Sequence, residues 1–168
     1  ESVDSALRIA RQHHVCRGDT GRTKIIGRSI SYHGATLASL AVANHDRRRA
    51  GLEPMLADWP KADALDAEAV RKLVETEDPG TIAAIIAEPV SGASGAALVP
   101  PDDYLPALRS ICDDHGILLI SDEVMTGFGR TGANFGVDHA GVVPDLLVGG
   151  KGLGGGYVPI GGVLATEA

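Results

Sequence analysis

Three ionisable side chains in the second half of the chain each follow a short apolar run, namely Glu88, Asp122 and Lys151. Singly, each has an ordinary explanation, because a carboxylate can cap a turn or pair with a surface arginine and a lysine can be solvated in a loop. Together they favour chemistry on a carbonyl compound. A lysine amine attacks carbonyl carbons and forms Schiff bases, and a carboxylate stays ionised beside a cation.

Lys151 lies in a glycine-rich loop whose match to a nucleotide-binding pattern does not hold. Residues 127–132 and 150–155 both fit G-x-G-x-x-G, but this pattern must end a strand and open a helix to bind a dinucleotide. Neither segment is followed by a good helix start. The phosphate-loop pattern fails as well, because Gly152 follows Lys151 where serine or threonine is needed and Asp145 stands where glycine is needed.

A lysine in a flexible loop and an aspartate at the end of a neighbouring strand are the two groups that pyridoxal phosphate needs. The lysine forms the Schiff base, and the acid holds the pyridine nitrogen protonated, which makes the ring an electron sink. Gly150 and Gly152 allow the backbone beside Lys151 to approach a cofactor. The residues therefore predict pyridoxal phosphate as the cofactor, with Lys151 as the catalytic residue and Asp122 at the ring nitrogen.

The segments that must position these residues alternate between helix and strand patterns. We predict helices over 2–14, 34–44, 66–75 and 102–115, strands over 24–28, 81–87, 117–121, 145–149 and 161–166, and an irregular stretch over 45–64 with an exposed basic run at 47–49. Strands that are apolar throughout have both faces covered, which predicts an α/β fold with a mainly parallel sheet and helices on both faces. Ligands bind beyond the carboxyl ends of such strands, so Glu88, Asp122 and Lys151 should meet at one edge.

Composition narrows the class of protein further. The 168 residues include 22 glycines and carry a net charge of −7, which argues against a nucleic-acid-binding surface. Two cysteines cannot build a disulfide scaffold, and no apolar run reaches the roughly 18 residues of a membrane span. We therefore expect a cytoplasmic domain without nucleic-acid or membrane partners. Because the chain opens within a helical pattern and closes within a strand pattern, we also expect it to be a piece of a larger protein.

Four ordered segments resemble the class III aminotransferases, which are pyridoxal-phosphate enzymes of fold type I and include ornithine, 4-aminobutyrate and omega-amino-acid transaminases. The segments are SYHGAT at 31–36, AEPVSG at 87–92, ISDEVMTGFGRTG at 120–132 and PDLLVGGKGLGGGYVPIGGV at 144–163. The resemblance implies transfer of an amino group from an amine or (omega-)amino acid to a 2-oxo acid, in a homodimer with its active site at the subunit interface. It also implies that residues 1–168 are the central part of the cofactor-binding large domain, without its N-terminal segment and the C-terminal small domain, and that this piece alone is inactive.

The resemblance implies a role for each of six side chains, and it implies no metal site. Lys151 would form the Schiff base and move the substrate proton, Asp122 would pair with the pyridine nitrogen, Val124 and Tyr32 would pack on the two faces of the ring, His33 would lie near the ring, and Glu88 would join the polar network of Asp122.

Some positions depart from the family pattern or have a structural explanation. Met125 stands where many members have a glutamine that can hydrogen-bond the ring hydroxyl, and Ser91 also stands in place of a glutamine. Glu123 and Arg130 are expected to hold the loop that carries Val124. Three alternatives remain open, namely an aminomutase, a decarboxylating transaminase, and a non-catalytic binding domain that keeps the fold.

Overall fold

A six-stranded sheet forms the centre of the computed structural model, which describes residues 1–167. In chain order its strands are β1 (Lys24–Arg28), β2 (Lys61–Ala62), β3 (Ile82–Ala87), β4 (Leu118–Asp122), β5 (Leu146–Gly149) and β6 (Gly162–Ala165). Their spatial order is β2-β1-β3-β4-β5-β6. Strands β1 to β5 are all parallel to one another, and β6 is antiparallel to β5. The predicted mainly parallel sheet is therefore confirmed.

Helices cover both faces of this sheet, as predicted. They are α1 (Ser2–Cys16), α2 (Leu37–Val42), α3 (Asp46–Arg49), α4 (Ala67–Thr76) and α5 (Tyr104–His115). One hydrophobic cluster joins the sheet to α4 and α5, and a second joins its other face to α1 and α2. Ile85 lies in the first cluster and Ile86 in the second, because successive strand residues point to opposite faces. This is why β3 is apolar at every position.

Local sequence signals explain the buried face of one helix and the ends of two others. In α1 the buried residues Val3, Leu7 and Ala10 recur at helical spacing. The side chain of Asp66 caps α4 by accepting hydrogen bonds from the next backbone amides, with 2.9 Å to the nitrogen of Glu68. Gly116 ends α5 in the left-handed conformation, with φ of 62°.

The predicted helix over 34–44 is too long. Only Leu37–Val42 is helical, because Thr36 and Ala43 on either side are extended, with ψ near 160°. Gly34 has φ of 127°, a conformation outside any right-handed helix. The stretch 45–64 is also more ordered than predicted, since it contains α3, a 3-10 turn over Glu53–Met55 and the edge strand β2.

The chain direction creates a crevice at the carboxyl edge of the sheet. From β1 the chain continues to α2 on one face, and from β3 it continues to α5 on the opposite face. Ligands of open α/β sheets bind where the connections that follow two neighbouring strands run to opposite faces of the sheet. Within residues 1–167, no helix combines the length and the apolar character that crossing a bilayer demands.

Candidate active site

A cavity of about 310 Å³ opens at this carboxyl edge. All six side chains selected from the sequence line it, together with Gly34, Ala93 and Met125; the six are Tyr32, His33, Glu88, Asp122, Val124 and Lys151. They come from the loops after β1 and β3 and from the ends of β4 and β5. Residues up to 119 positions apart in the chain thus share one cavity, as the parallel sheet predicted, while their chemical roles stay predictions.

Asp122 forms the buried anionic end of this cavity. It is the last residue of β4 and is only 4% exposed. One of its carboxylate oxygens, Oδ2, lies 2.7 Å from Nδ1 of His33, and the other accepts a hydrogen bond of 3.0 Å from the backbone nitrogen of Val124. The two bonds fix the plane of the carboxylate. His33 is also buried, and its Nε2 atom has no hydrogen-bond partner within the described residues.

Glu88 ties two walls of the cavity together through the main chain. Its Oε1 atom accepts a hydrogen bond of 3.1 Å from the backbone nitrogen of Tyr32, and Oε2 accepts one of 3.3 Å from that of Gly92. Burial raises the pKa of Glu88 above its usual range, and the nearby His33 opposes this shift. Glu88 therefore influences Asp122 through charge, while its hydrogen bonds go to the two loops.

Lys151 lies in a strained backbone conformation at the end of β5. Its φ is +41°, in the left-handed region that residues other than glycine rarely adopt. Its two neighbours are closely packed, since a Cβ atom on Gly150 would lie 3.2 Å from Cγ1 of Val124 and one on Gly152 would lie 3.2 Å from Cβ of Phe128. The flanking glycines thus let Val124 and Phe128 approach the lysine loop. Strained residues of this kind cluster at functional sites.

Gly92 and Met125 form a contact that the sequence did not reveal. A Cβ atom on Gly92 would lie 1.9 Å from Sδ of Met125, so the thioether occupies the space above the glycine. In the sequence, the only indication of this contact is that Gly92 belongs to the segment 87–92. Met125 carries no hydrogen-bond donor to offer a bound molecule, so this side of the cavity is apolar.

Glu123 holds the loop after β4, as expected. It is fully buried, and its two oxygens accept hydrogen bonds of 2.8 Å and 2.9 Å from the backbone nitrogens of Gly136 and Val137. The hydroxyl of Thr126 donates a further bond to it. Arg130 lies exposed on the same loop, and its side chain forms no hydrogen bond within residues 1–167. The loop therefore depends on Glu123.

Titratable groups that could bind metal do not gather elsewhere in the described chain. Within residues 1–167, no group of three or more histidine, cysteine, aspartate or glutamate side chains has the arrangement of a metal site. The cavity presents one amine, two buried carboxylates and an imidazole.

Comparison with known proteins gives a consistent assignment. A family model described as aminotransferase class-III matches residues 1–168. The chain is 43% identical to ornithine aminotransferase 1 of Staphylococcus aureus and 40% identical to an omega-aminotransferase of Caulobacter vibrioides, in each case over 99% of this chain. It spans 42% of the length of each of these relatives.

A solved structure gives the same result for the fold. The chain superimposes with a TM-score of 0.91 on an amine transaminase from an uncultivated Pseudomonas species in its PLP-bound form. The two are 38% identical, and the match covers 99% of this chain and 41% of that one.

Proposed function

Because the chain belongs to the class III aminotransferase family, we propose that it forms the central part of the cofactor-binding large domain of a transaminase. The enzyme would use pyridoxal phosphate to move an amino group from an amine or (omega-)amino acid to a 2-oxo acid. The observation that carries this proposal is the single cavity shared by Lys151, Asp122, His33, Glu88, Val124 and Tyr32.

The donor set of the cavity suits this cofactor. Asp122 offers a buried carboxylate at the end of β4, where it would pair with the protonated ring nitrogen. The Nε2 atom of His33 is buried without a protein partner in the described chain and remains available to a bound molecule. When bound, pyridoxal phosphate supplies an electron-withdrawing ring that stabilises negative charge on the substrate carbon.

Asp122 and His33 would act as one unit. The contact of 2.7 Å between Oδ2 and Nδ1, with the backbone bond from Val124, holds the carboxylate in one orientation before any ligand enters. A carboxylate that is already oriented needs no rearrangement to stabilise a positive ring, which is the main electrostatic contribution a protein can make.

Lys151 would supply the amine that attaches the cofactor through its aldehyde. When an incoming amine displaces it, Nζ of Lys151 would be free to take the proton from the amine-bearing carbon of the substrate and to return it to the former aldehyde carbon of the cofactor. A base on a short glycine-flanked loop can reach both atoms. Val124 and Tyr32 would pack on opposite faces of the ring. Together they would exclude water from the ring and hold it in one orientation.

The names of the relatives support a particular donor. One is an ornithine aminotransferase and another an omega-aminotransferase, so we propose the terminal amine of an amino acid as the donor group. The apolar wall at Met125 is compatible with the carbon chain of such a substrate. The acceptor would be a 2-oxo acid.

We also propose a homodimer with the active site near the subunit interface. Tyr157 is 94% exposed, and Val158 and Ile160 beside it are exposed as well. This apolar stretch directly follows the Lys151 loop, and exposed apolar patches mark protein contacts. A cytoplasmic location is supported by the free thiols of Cys16 and Cys112.

Reductive trapping tests the proposal. Borohydride reduction of the protein with pyridoxal phosphate should leave the pyridoxyl group on Lys151 in a peptide map. Lys61 is the matched control, because burial lowers its pKa to about 8 and makes it the competing reactive amine. Lys151→Ala should abolish the label and Lys61→Arg should preserve it. A label that stays on Lys61 and survives Lys151→Ala would contradict the proposal.

A further inference from the structure

The basic run at 47–49 has no role in the proposed function. Hydrogen bonds hold it beside the cavity. We define the basic segment as residues 44–49. The side-chain nitrogen of Asn44 donates a hydrogen bond of 2.9 Å to the carbonyl of Ser29, and Ser31 and Asn44 form an antiparallel bridge. Arg49 donates a bond of 3.1 Å to the carbonyl at Ala43. These contacts fix the basic segment against the loop that leads from β1 to Tyr32.

Two side chains of the basic segment contact the ring of Tyr32. The guanidinium carbon of Arg48 lies 4.4 Å from the centre of the ring, and Nη1 of Arg48 donates a hydrogen bond of 3.2 Å to the Tyr32 hydroxyl. The ring of His45 meets it edge-on, with centres 6.1 Å apart. Tyr32 itself is held at its backbone nitrogen by Glu88. The residue is thus fixed at its backbone, its face and its hydroxyl.

We infer that Arg48 is a positioning residue that orients the Tyr32 ring toward the cofactor, an inference that rests on the proposed function. A cation is attracted to the face of an aromatic ring, and the hydrogen bond to the hydroxyl limits rotation of the ring within its plane. Arg48 lies over one face of the ring, and Tyr32 lines the cavity, so a flat ligand there would pack on the opposite face. Because the ring is oriented before binding, a ligand that packs on it loses less conformational entropy.

The contact between Arg48 and Tyr32 depends on the planar shape of the guanidinium group as well as on its positive charge. Arginine can lie over a ring and donate a hydrogen bond from its edge at the same time, which the compact ammonium of lysine does less well. Arg47 is the neighbouring arginine, with the same charge and an exposed side chain, but within the described residues it makes no cation–π contact with the ring. Arg47 therefore provides a matched control for the charge alone.

The first measurement is the dissociation constant of pyridoxal phosphate, followed by its absorbance spectrum when bound. We expect Arg48→Gln to weaken binding about two- to twelvefold, the cost of ordering the Tyr32 ring when the ligand binds. Arg48→Lys should give an intermediate loss, and Arg47→Gln should match the parent protein. Equal losses in Arg47→Gln and Arg48→Gln would overturn the inference, because charge alone would then explain them.

A double-mutant cycle shows whether Arg48 acts through Tyr32. In a Tyr32→Leu background, Arg48→Gln should cause no further loss of affinity and no further spectral change. Additive losses would overturn the inference. The trapping experiment on Lys151 reads out the proposed function separately, so a label on Lys151 combined with additive losses removes the role of Arg48 alone. Unchanged thermal unfolding of Arg48→Lys excludes misfolding as the cause of its loss.

Discussion

At the scale of single residues, Gly92 and Met125 compete for the same corner of the cavity wall. The thioether of Met125 fills the space where a Cβ on Gly92 would stand. Because the clashing atoms are the far end of a flexible side chain, we expect Gly92→Ala to move Met125 toward the ligand and to weaken pyridoxal phosphate binding by about 1 kcal/mol or less. The bond from its backbone nitrogen to Glu88 survives the change. The measurement is the dissociation constant of the cofactor.

The matched variant removes the clash from the other side. Gly92→Ala combined with Met125→Ala should recover most of the lost affinity, because the methyl group then occupies vacated space. If the double variant binds as weakly as Gly92→Ala, the loss comes from the backbone and the steric explanation is wrong.

The residue types in the cavity could be predicted from the sequence, but their partners could not. Glu88, Asp122 and Lys151 end neighbouring strands, so chain topology brings them to one edge. The bond between His33 and Asp122 joins positions 89 residues apart, and no local pattern specifies such a contact. The contact of Arg48 with Tyr32 depends on how a loop folds back, which periodicity does not describe. Side-chain geometry in loops is therefore where prediction from this sequence ends.

At the scale of elements, the strands were easier to predict than the helices around the site. A strand buried on both faces must be apolar throughout, and β3 shows this directly. The predicted helix over 34–44 is too long because alanine and leucine favour helix over the whole segment, whereas Gly34 and the extended Ala43 confine α2 to six residues. Tertiary contacts here override local propensity.

The close approach of α2 to β1 explains part of that restriction and can be tested. A Cβ atom on Gly27 would lie 1.9 Å from the carbonyl oxygen of Val42. Because that atom belongs to the backbone, Gly27→Ala must separate the two elements, and we expect a loss of about 1–3 kcal/mol in the free energy of unfolding. Gly21→Ala is the control, since its nearest atom would lie at an ordinary 3.6 Å. Urea unfolding that fails to distinguish the two variants would contradict this packing.

The edge strand β2 should make stability depend on pH. Burial, reinforced by the charge of Arg49, lowers the pKa of Lys61 from its ordinary 10.5 to about 8. Between pH 8 and 10.5 the unfolded chain binds a proton that the folded chain does not, so this lysine makes the folded state more stable as pH rises. Below pH 8 both states are charged, and the folded state bears the full cost of burying that charge.

Lys61→Met removes this titration. By urea unfolding, we expect the advantage of Lys61→Met over the parent chain to be largest below pH 8 and to shrink toward pH 10.5. Lys72→Met on α4 corrects for the general loss of one lysine charge. An advantage of Lys61→Met that grows with pH would show that the sign is wrong.

At the scale of the whole molecule, the surface next to the cavity bears on how two copies of the chain would meet. The cavity edge carries the Lys151 loop and, directly after it, the exposed stretch of Tyr157, Val158 and Ile160. A surface this apolar beside a candidate active site fits an interface that closes the site. If two copies meet there, catalysis and assembly depend on the same loop, and the strained Lys151 would be held partly by the partner.

A charge placed in this stretch separates assembly from folding. Val158→Asp should weaken self-association in sedimentation equilibrium by about tenfold or more, because it buries an unpaired carboxylate in the interface. Val143→Asp is the matched control, since Val143 is 69% exposed and Val158 is 60% exposed, but Val143 lies before β5, away from the Lys151 loop. If Val143→Asp weakens self-association and Val158→Asp does not, the interface lies at the opposite end of β5. If neither change affects association, the stretch at 157–160 is not the interface and the proposal of an interface there is wrong.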